Sequence, residues 1–468
     1  MTAISRDVLV SRKSYLQQLL AQAWPIYLGQ IAIIAQGIID TIMAGHASAN
    51  DLAAIGVGTS IFGTVYIAIS GILVALMPLI SRKYGAGETT EIGEMVRQAI
   101  YLSLILSLIT AVTLLFPGPF FLIAKVSPFI ETKTRLYLSI LAVSIPAVMM
   151  IRVIQGYMIS VLQASLVMRL NFGGLALKLL LNFIVIYWLP GGVDQTAERC
   201  AISTTITNWI VLGIGIWLCS RHSSLLPFAA FSKFSSLNYK NIREILYLGI
   251  PIGITFFIDY TSITFVGLLV AGFGATATAA HQIASSFSLL FYLIPLAIGN
   301  AASVLVGKSL GSNQTKDVTQ FVTSALVLGF ILALAVLIIT VFGTQHIASL
   351  FTKDPATIGL TATLLSVIGF FHFFDAFLTI ANAILRAYKK TLLPTFIYFI
   401  AMWGIGVGIG YNLAIAQDSS FQKMLSIDQI NSPLGFWIAL TGGAFVGALL
   451  SLVYLMLIYN RSRYGVRP

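Results

Sequence analysis

Apolar residues in this chain gather in long stretches. They do not alternate as in a half-buried strand, nor do they form the narrow stripe of a soluble amphipathic helix. Polar punctuation divides them into twelve runs, at about 18–45, 52–81, 95–117, 134–157, 163–189, 201–219, 246–271, 279–307, 318–343, 357–385, 392–415 and 435–460. A helix needs about 20 residues to cross roughly 30 Å of hydrocarbon, and these runs match that length. A backbone in hydrocarbon must satisfy its own polar groups, so each run is predicted to be a helix. The expected fold class is an all-α integral membrane protein with twelve transmembrane helices.

Composition leaves no room for a separate soluble domain. Hydrophobic residues are 58% of the 468 and charged residues 9%, against about 25% charged in soluble domains. The net charge of +11 could suggest nucleic acid, but its distribution says otherwise. With the N-terminus inside, nineteen of the 27 Lys and Arg residues fall in inner segments or at inner span ends. Six, Lys125, Lys133, Arg135, Arg199, Lys353 and Lys423, fall outside, and Arg152 and Lys178 lie deeper. This is the positive-inside bias, so the charge reads as topology, with the bilayer as partner and no nucleic acid.

The longest inner polar stretch, 220–245, divides six spans from six. The expected organisation is a cytoplasmic segment at 1–17, a six-helix lobe at 18–219, a cytoplasmic linker at 220–245, a second lobe at 246–460 and a cytoplasmic tail at 461–468. Both halves begin inside, so a repeat between them is parallel, two bundles related by a pseudo-twofold along the membrane normal. A weak repeat appears at an offset of 226: Pro25 matches Pro251, Ala53-Ala54 matches Ala279-Ala280, Ser60 matches Ser286 and Gly85 matches Gly311. The acids do not follow it. Asp40 falls on Val266, and Asp259 falls on Ile33, which predicts a different polar site in each half.

Asp40, Asp259 and Asp375 each interrupt an apolar stretch. A carboxylate at depth costs about 2.5–3.5 kcal/mol on insertion scales, so about 7–10 kcal/mol for three. Polar contacts between helices do not need a charge, so Asp259 and Asp375 are read as functional, able to hold a proton or a cation. In the seventh span Thr255, Asp259 and Ser262 lie on one helical face. In the tenth, His372, Asp375, Thr379 and Asn382 do the same. The hydroxyls and Asn382 are also explained as polar glue between helices. In the first span Gln36 and Asp40 are four apart, as are Lys178 and Asn182 in the fifth. Lys178 needs a partner or an aqueous cavity among Leu175–Leu181. By depth the nearest partner is Asp40; the alternative is a lysine that snorkels to water. His281 reads as a hydrogen-bonding structural residue, and Pro146 and Pro295 are expected to bend their helices.

No enzyme motif survives. There is no GxxxxGK[ST] loop and no HExxH, which argues against a pump with its own ATPase; if the chain transports, an ion gradient is the expected energy source. Cys200 and Cys219 have no metal-type spacing and imply no disulfide framework.

Several segments resemble the multidrug and toxic compound extrusion (MATE) family, nearest its NorM-like branch. They are Asp40-Thr41-Ile42-Met43-Ala44-Gly45, Ala279-Ala280-His281-Gln282, Pro295-Leu296-Ala297-Ile298-Gly299 and Val306-Gly307. Pro251 with an acid eight residues on, and Asp375 followed by Leu385-Arg386-Ala387-Tyr388-Lys389, also fit. The resemblance covers essentially the whole chain. It implies a two-lobed exporter in the bacterial inner membrane, both termini cytoplasmic, that expels amphipathic, often cationic, drugs and dyes in exchange for entering Na⁺ or H⁺. It is expected to act as a monomer, with no enzymatic activity and no cofactor beyond the coupling ion. Asp259 and Asp375 correspond to the family's C-lobe cation site and are the Na⁺ candidates. Asp40 is expected to act with Lys178, Asn182 and Thr204 in the N-lobe.

Three departures matter. Asp259 stands where the family usually has glutamate, Phe371 replaces a tyrosine, and Lys178 replaces an asparagine. A lysine there could substitute its own ammonium for a bound cation, which argues against an N-lobe Na⁺ site. The C-lobe acids favour Na⁺ and the altered ligands favour H⁺; Na⁺ is the preferred reading. A lipid-linked precursor flippase of the same superfamily is the alternative, and an intramembrane aspartyl protease a more distant one. Three deep aspartates against two deep cations favour cationic cargo, and no Gly-x-Gly-Asp pattern precedes Asp259 or Asp375.

Overall fold

In the computed structural model every one of the twelve stretches is a helix long and apolar enough to cross a membrane. The structure describes residues 3–124, 126–188, 195–232, 235–416 and 432–463. Among the charges assigned to loops and tail, Lys125, Lys233, Lys423 and Arg467 lie outside the described residues, as does the tail beyond residue 463.

The elements are α1 (Ala3–Ala47), α2 (Ala49–Leu73), α3 (Leu76–Gly85), α4 (Thr89–Leu115), α5 (Gly118–Ala124), α6 (Pro128–Ser160), α7 (Ala164–Tyr187) and α8 (Thr196–Arg221). After them come α9 (Tyr239–Val270), α10 (Ala275–Gly311), α11 (Thr315–Phe342), α12 (Thr344–Ser349) and α13 (Pro355–Ala387). The last are α14 (Leu392–Phe399), a π-helical segment Ile400–Ile409, α15 (Gly410–Ala414) and α16 (Leu434–Arg463). Several helices run past their apolar runs. α9, for example, begins at Tyr239 rather than near 246, because polar residues at a water-facing end continue the helix without cost. The second span is two helices, α2 and α3, broken at Val74-Ala75. The helices continue through Pro146 and Pro295.

The repeat is sharper in the elements than in the letters. α2 and α10, α4 and α11, and α5 and α12 each begin 226 residues apart. The short loops after the second, fourth, eighth and tenth spans share one turn. Gly87, Leu162, Asn313 and Lys389 take positive φ of 75, 63, 58 and 60°. In each turn the next N–H reaches back five residues: Glu88 to Lys83, Gln163 to Met158, Gln314 to Ser309 and Lys390 to Leu385. This is the Schellman arrangement, which satisfies carbonyls orphaned at a helix end.

The chain forms two compact units, Trp24–Gly253 and Ile254–Pro468, the latter joined by residues 1–23. In the amino-terminal unit α6 is central, packing on α2, α3, α4, α7 and α8. In the carboxyl-terminal unit α13 is central, against α10, α11, α12 and α16. Large side chains such as Leu108, Ile109, Val112 and Leu115 are exposed along one flank of α4, as expected where lipid is the solvent.

The 220–245 stretch is not a loose tether. Gln98 of α4 donates to Ser236 O and accepts from Asn238 N, Tyr101 donates to Ser235 O, and Arg97 donates to Ala229 O. At the other end of the same unit, Lys133 of α6 meets the fully buried Asp51 of α2 at 2.6 Å, and Asp51 Oδ1 also accepts from Ala197 N of α8 at 3.3 Å. In the carboxyl-terminal unit α16 presses on the π-helical segment so closely that a Cβ at Gly443 would stand 2.1 Å from Ala401 O. Asp354 caps α13, accepting from Thr357 Oγ1 at 2.6 Å and Thr357 N at 2.9 Å. These bonds hold its carboxyl below the usual aspartate range.

Candidate functional site

Two clusters of buried polar residues stand out, one in each unit. In the amino-terminal unit, α7 carries Lys178 and Asn182 at i and i+4, so both face the same neighbour, α8. There Cys200, Ser203 and Thr204 recur at i, i+3 and i+4. Lys178 is fully buried. Its Nζ meets Asp40 Oδ1 of α1 at 3.0 Å, and it donates to Cys200 O at 2.9 Å, to Ser203 Oγ at 2.9 Å and to Thr204 Oγ1. Asn182 donates from Nδ2 to Asp40 Oδ1 at 2.8 Å, and its Oδ1 accepts from Ser203 Oγ. Thr204 Oγ1 also lies 3.3 Å from Asp40 Oδ2. The lysine therefore pairs with Asp40 rather than snorkelling. Gln36 is half-buried, its amide facing Gly174 of α7.

Ser203 and the Cys200 carbonyl were not read from the sequence. Ser203 adjoins Thr204 and could have been noticed as a second hydroxyl on that face. A main-chain acceptor leaves no trace in a side-chain pattern. Both cysteines are free and buried. Gln155, elsewhere in the unit, binds Asn171 at 2.8 Å.

The carboxyl-terminal cluster is built differently. Asp259 of α9 accepts from Tyr398 Oη of α14 at 2.6 Å, and Tyr292 of α10 stands near the same carboxylate. Asp375 of α13 is almost fully buried, and its Oδ2 has no hydrogen-bond partner among the described residues. Its Oδ1 has Thr379 Oγ1 at 3.5 Å. The two aspartates are electrostatic neighbours. Among the described residues neither has a Lys or Arg within ion-pair distance.

The face expected on the seventh span is divided. Ser262 Oγ turns back onto Asp259 O at 2.9 Å, as hydroxyls in helices commonly do, and Thr255 pairs with Thr395 Oγ1 at 2.9 Å. Help for the Asp259 carboxylate comes instead from Tyr398 on another helix. Tyr398, three residues after Thr395 on the same helix, was the available signal. The face expected on the tenth span holds together, with His372, Asp375, Thr379 and Asn382 all buried. His372 shares a 2.8 Å bond with Ser288 Oγ, while among the described residues its Nδ1 has no partner, nor has Asn382 Oδ1. Phe371, with no hydroxyl to contribute, packs edge-on against Trp437. His281 is structural: Trp437 Nε1 donates to its Nδ1 at 3.3 Å, and Ser285 Oγ lies 3.3 Å from Nε2.

A row of buried polar atoms without partners is uncommon in a folded protein and asks for water, a proton or an ion. Carboxylate and hydroxyl oxygens are hard ligands, suited to hard cations. Among the described residues no group of three or more His, Cys, Asp or Glu has the arrangement of a metal site.

The MatE family model matches residues 25–184 and again 251–412, the two matches starting at Pro25 and Pro251. The chain belongs to the MatE family. This MatE protein is 32% identical over 446 residues to the probable multidrug resistance protein NorM of Neisseria meningitidis serogroup A, covering 95% of this chain and 94% of the relative. It is 31% identical to the multidrug resistance protein PmpM of Pseudomonas aeruginosa, covering 93% and 90%. The fold matches the eukaryotic MATE transporter AtDTX14 with a TM-score of 0.86 at 16% identity, over 97% of this chain and 99% of that one. It also matches the Vibrio cholerae MATE transporter VcmN in its bent form, with a TM-score of 0.81 at 18% identity over 97% and 99%. The relatives are transporters, and this MatE protein is a multi-pass membrane protein of twelve apolar helices.

Proposed function

We propose that this protein is a secondary active multidrug exporter of the bacterial inner membrane, both termini cytoplasmic, that exchanges amphipathic cationic compounds for an entering monovalent cation, Na⁺ or H⁺. The observation that carries the reading is Asp375: a buried carboxylate within electrostatic range of a second one, with one oxygen unpartnered and no lysine or arginine in ion-pair contact among the described residues. Two carboxylates in a low-dielectric interior cannot both stay charged without a cation or a proton. An ion that binds there in one conformation better than in another shifts the population between them, which is the physical requirement for coupling.

The names of the relatives support drugs as cargo. So does the fate of Lys178, one of the two deep cations. A flippase for anionic headgroups needs free positive charge, yet Lys178 is consumed by Asp40 and its three other acceptors. The reading includes no enzymatic step.

The test is dye efflux from inverted vesicles with Na⁺ and pH gradients imposed separately. One of the two gradients should drive ethidium-like cations, and Asp375→Asn should abolish it. Efflux that responds to neither gradient, or that survives Asp375→Asn, would overturn the proposal.

A further inference from the structure

The two clusters differ in one respect that reaches beyond the exporter reading and does not depend on what is exported. Among the described residues the carboxyl-terminal acids have no ammonium in contact; the amino-terminal acid has one built in. We propose that the Lys178 ammonium is a tethered cation, permanently filling an oxygen cage made by Asp40, Cys200, Ser203 and Thr204. The cage takes up no ion from solution while Lys178 is present, and shortening Lys178 opens it to Na⁺.

Four kinds of observation point this way. First, Nζ has three protons but four oxygens around it: a carboxylate, a main-chain carbonyl and two hydroxyls. Oxygens in excess of protons describe a coordination shell better than a set of matched hydrogen bonds. Second, all four are hard, uncharged or singly charged oxygens, the donor type that a dehydrated monovalent cation shares with an ammonium. Third, the cage is largely buried: Lys178, Cys200 and Ser203 have 0% exposure and Asp40 7%, and Thr204 is half-buried. Fourth, the charges balance as they stand. One carboxylate faces one ammonium, so a second cation would enter against an unscreened like charge in a low-dielectric site.

Geometry also says what shortening would leave. Nζ reaches the cage on a four-carbon stem from α7. Lys178→Ala removes the ammonium and most of the stem together, leaving a cavity beside an uncompensated carboxylate. Asn182 still donates to Asp40 Oδ1 from the same helix, so the carboxylate stays oriented toward the vacated position.

The experiment is equilibrium dialysis with radiolabelled Na⁺ on the purified full-length protein in detergent, at constant ionic strength balanced with choline. Lys178→Ala should bind one more Na⁺ per chain than the wild type, and adding Asp40→Asn should remove that extra site. An unchanged count in Lys178→Ala, or an extra site that persists without the Asp40 carboxylate, overturns the proposal. Where Lys178→Ala does not fold, the pair Asp40→Asn/Lys178→Met decides, since it removes both charges at once and leaves neither stranded. Its Na⁺ count should equal that of the wild type; loss of one site would show that the wild-type cage already held an exchangeable ion.

Discussion

Tyr398 Oη lies 2.6 Å from Asp259 Oδ1, a short bond between two helices 139 residues apart in sequence. A hydroxyl donated to a carboxylate is among the stronger hydrogen bonds, contributing about 1.5–3 kcal/mol when the acceptor is charged. Tyr398→Phe should therefore move the Na⁺ or H⁺ concentration that half-saturates dye efflux by roughly tenfold or more, at 1.4 kcal/mol per tenfold. A folded variant with unaltered cation dependence would remove Asp259 from the coupling site.

Asp375→Asn and Asp40→Asn should separate in stability. At Asp375 the substitution removes a buried charge that has no cation of its own, so thermal unfolding should be unchanged or shifted upward while coupled efflux disappears. At Asp40 it strands a fully buried ammonium, and breaking a buried pair from one side costs about 3–5 kcal/mol. Equal melting behaviour of the two variants would contradict Asp40 as the charge partner of Lys178.

Lys133 and Asp51 form a second buried pair among the described residues of the amino-terminal unit, and Asp51 also holds Ala197 N. Lys133→Met should destabilise the protein by about 3–5 kcal/mol. The double variant Asp51→Asn/Lys133→Met should recover much of that loss. A thermal double-mutant cycle reads the coupling, and strict additivity would mean that the pair contributes nothing.

Adjacent glycines give a steric test of the π-helical segment. A Cβ on Gly443 would sit 2.1 Å from Ala401 O, whereas one on Gly442 meets nothing within 4 Å. Gly443→Ala should cost about 1–3 kcal/mol, the usual range for overpacking. Gly442→Ala should fold and unfold like the wild type. Similar effects at both positions would mean that helix propensity, not contact, governs this site.

The cap of α13 carries a pH dependence with a definite sign. Hydrogen bonds from Thr357 lower the Asp354 carboxyl in the folded protein. The cap's contribution is therefore present above the ordinary aspartate value and is lost as pH falls through the depressed folded one. Hydrogen exchange at Thr357 and Ile358 should accelerate in that acidic window, and Asp354→Ala should show fast exchange at every pH.

The sequence by itself determined the helices and the presence of buried charge. Span number follows from run length, since a helix has one rise per residue and hydrocarbon one thickness, and all twelve runs were legible on those terms. The offset of 226 was legible as faint letters and is unmistakable in the starts of α2 and α10, α4 and α11, and α5 and α12. Asp40, Asp259, Asp375 and Lys178 announced themselves because a charge in hydrocarbon needs a reason. Tertiary structure alone decided which groups answer them. Spacing places residues on a face of one helix, but partners come from other helices. Thus Ser262 turned to its own backbone, Thr255 went to Thr395, and Tyr398 took the place expected of both. The same holds for the oxygens around Lys178: a main-chain carbonyl at Cys200 and a hydroxyl at Ser203 are common features of any chain. Only packing α8 against α7 makes them, together with Asp40 of α1, ligands of one ammonium.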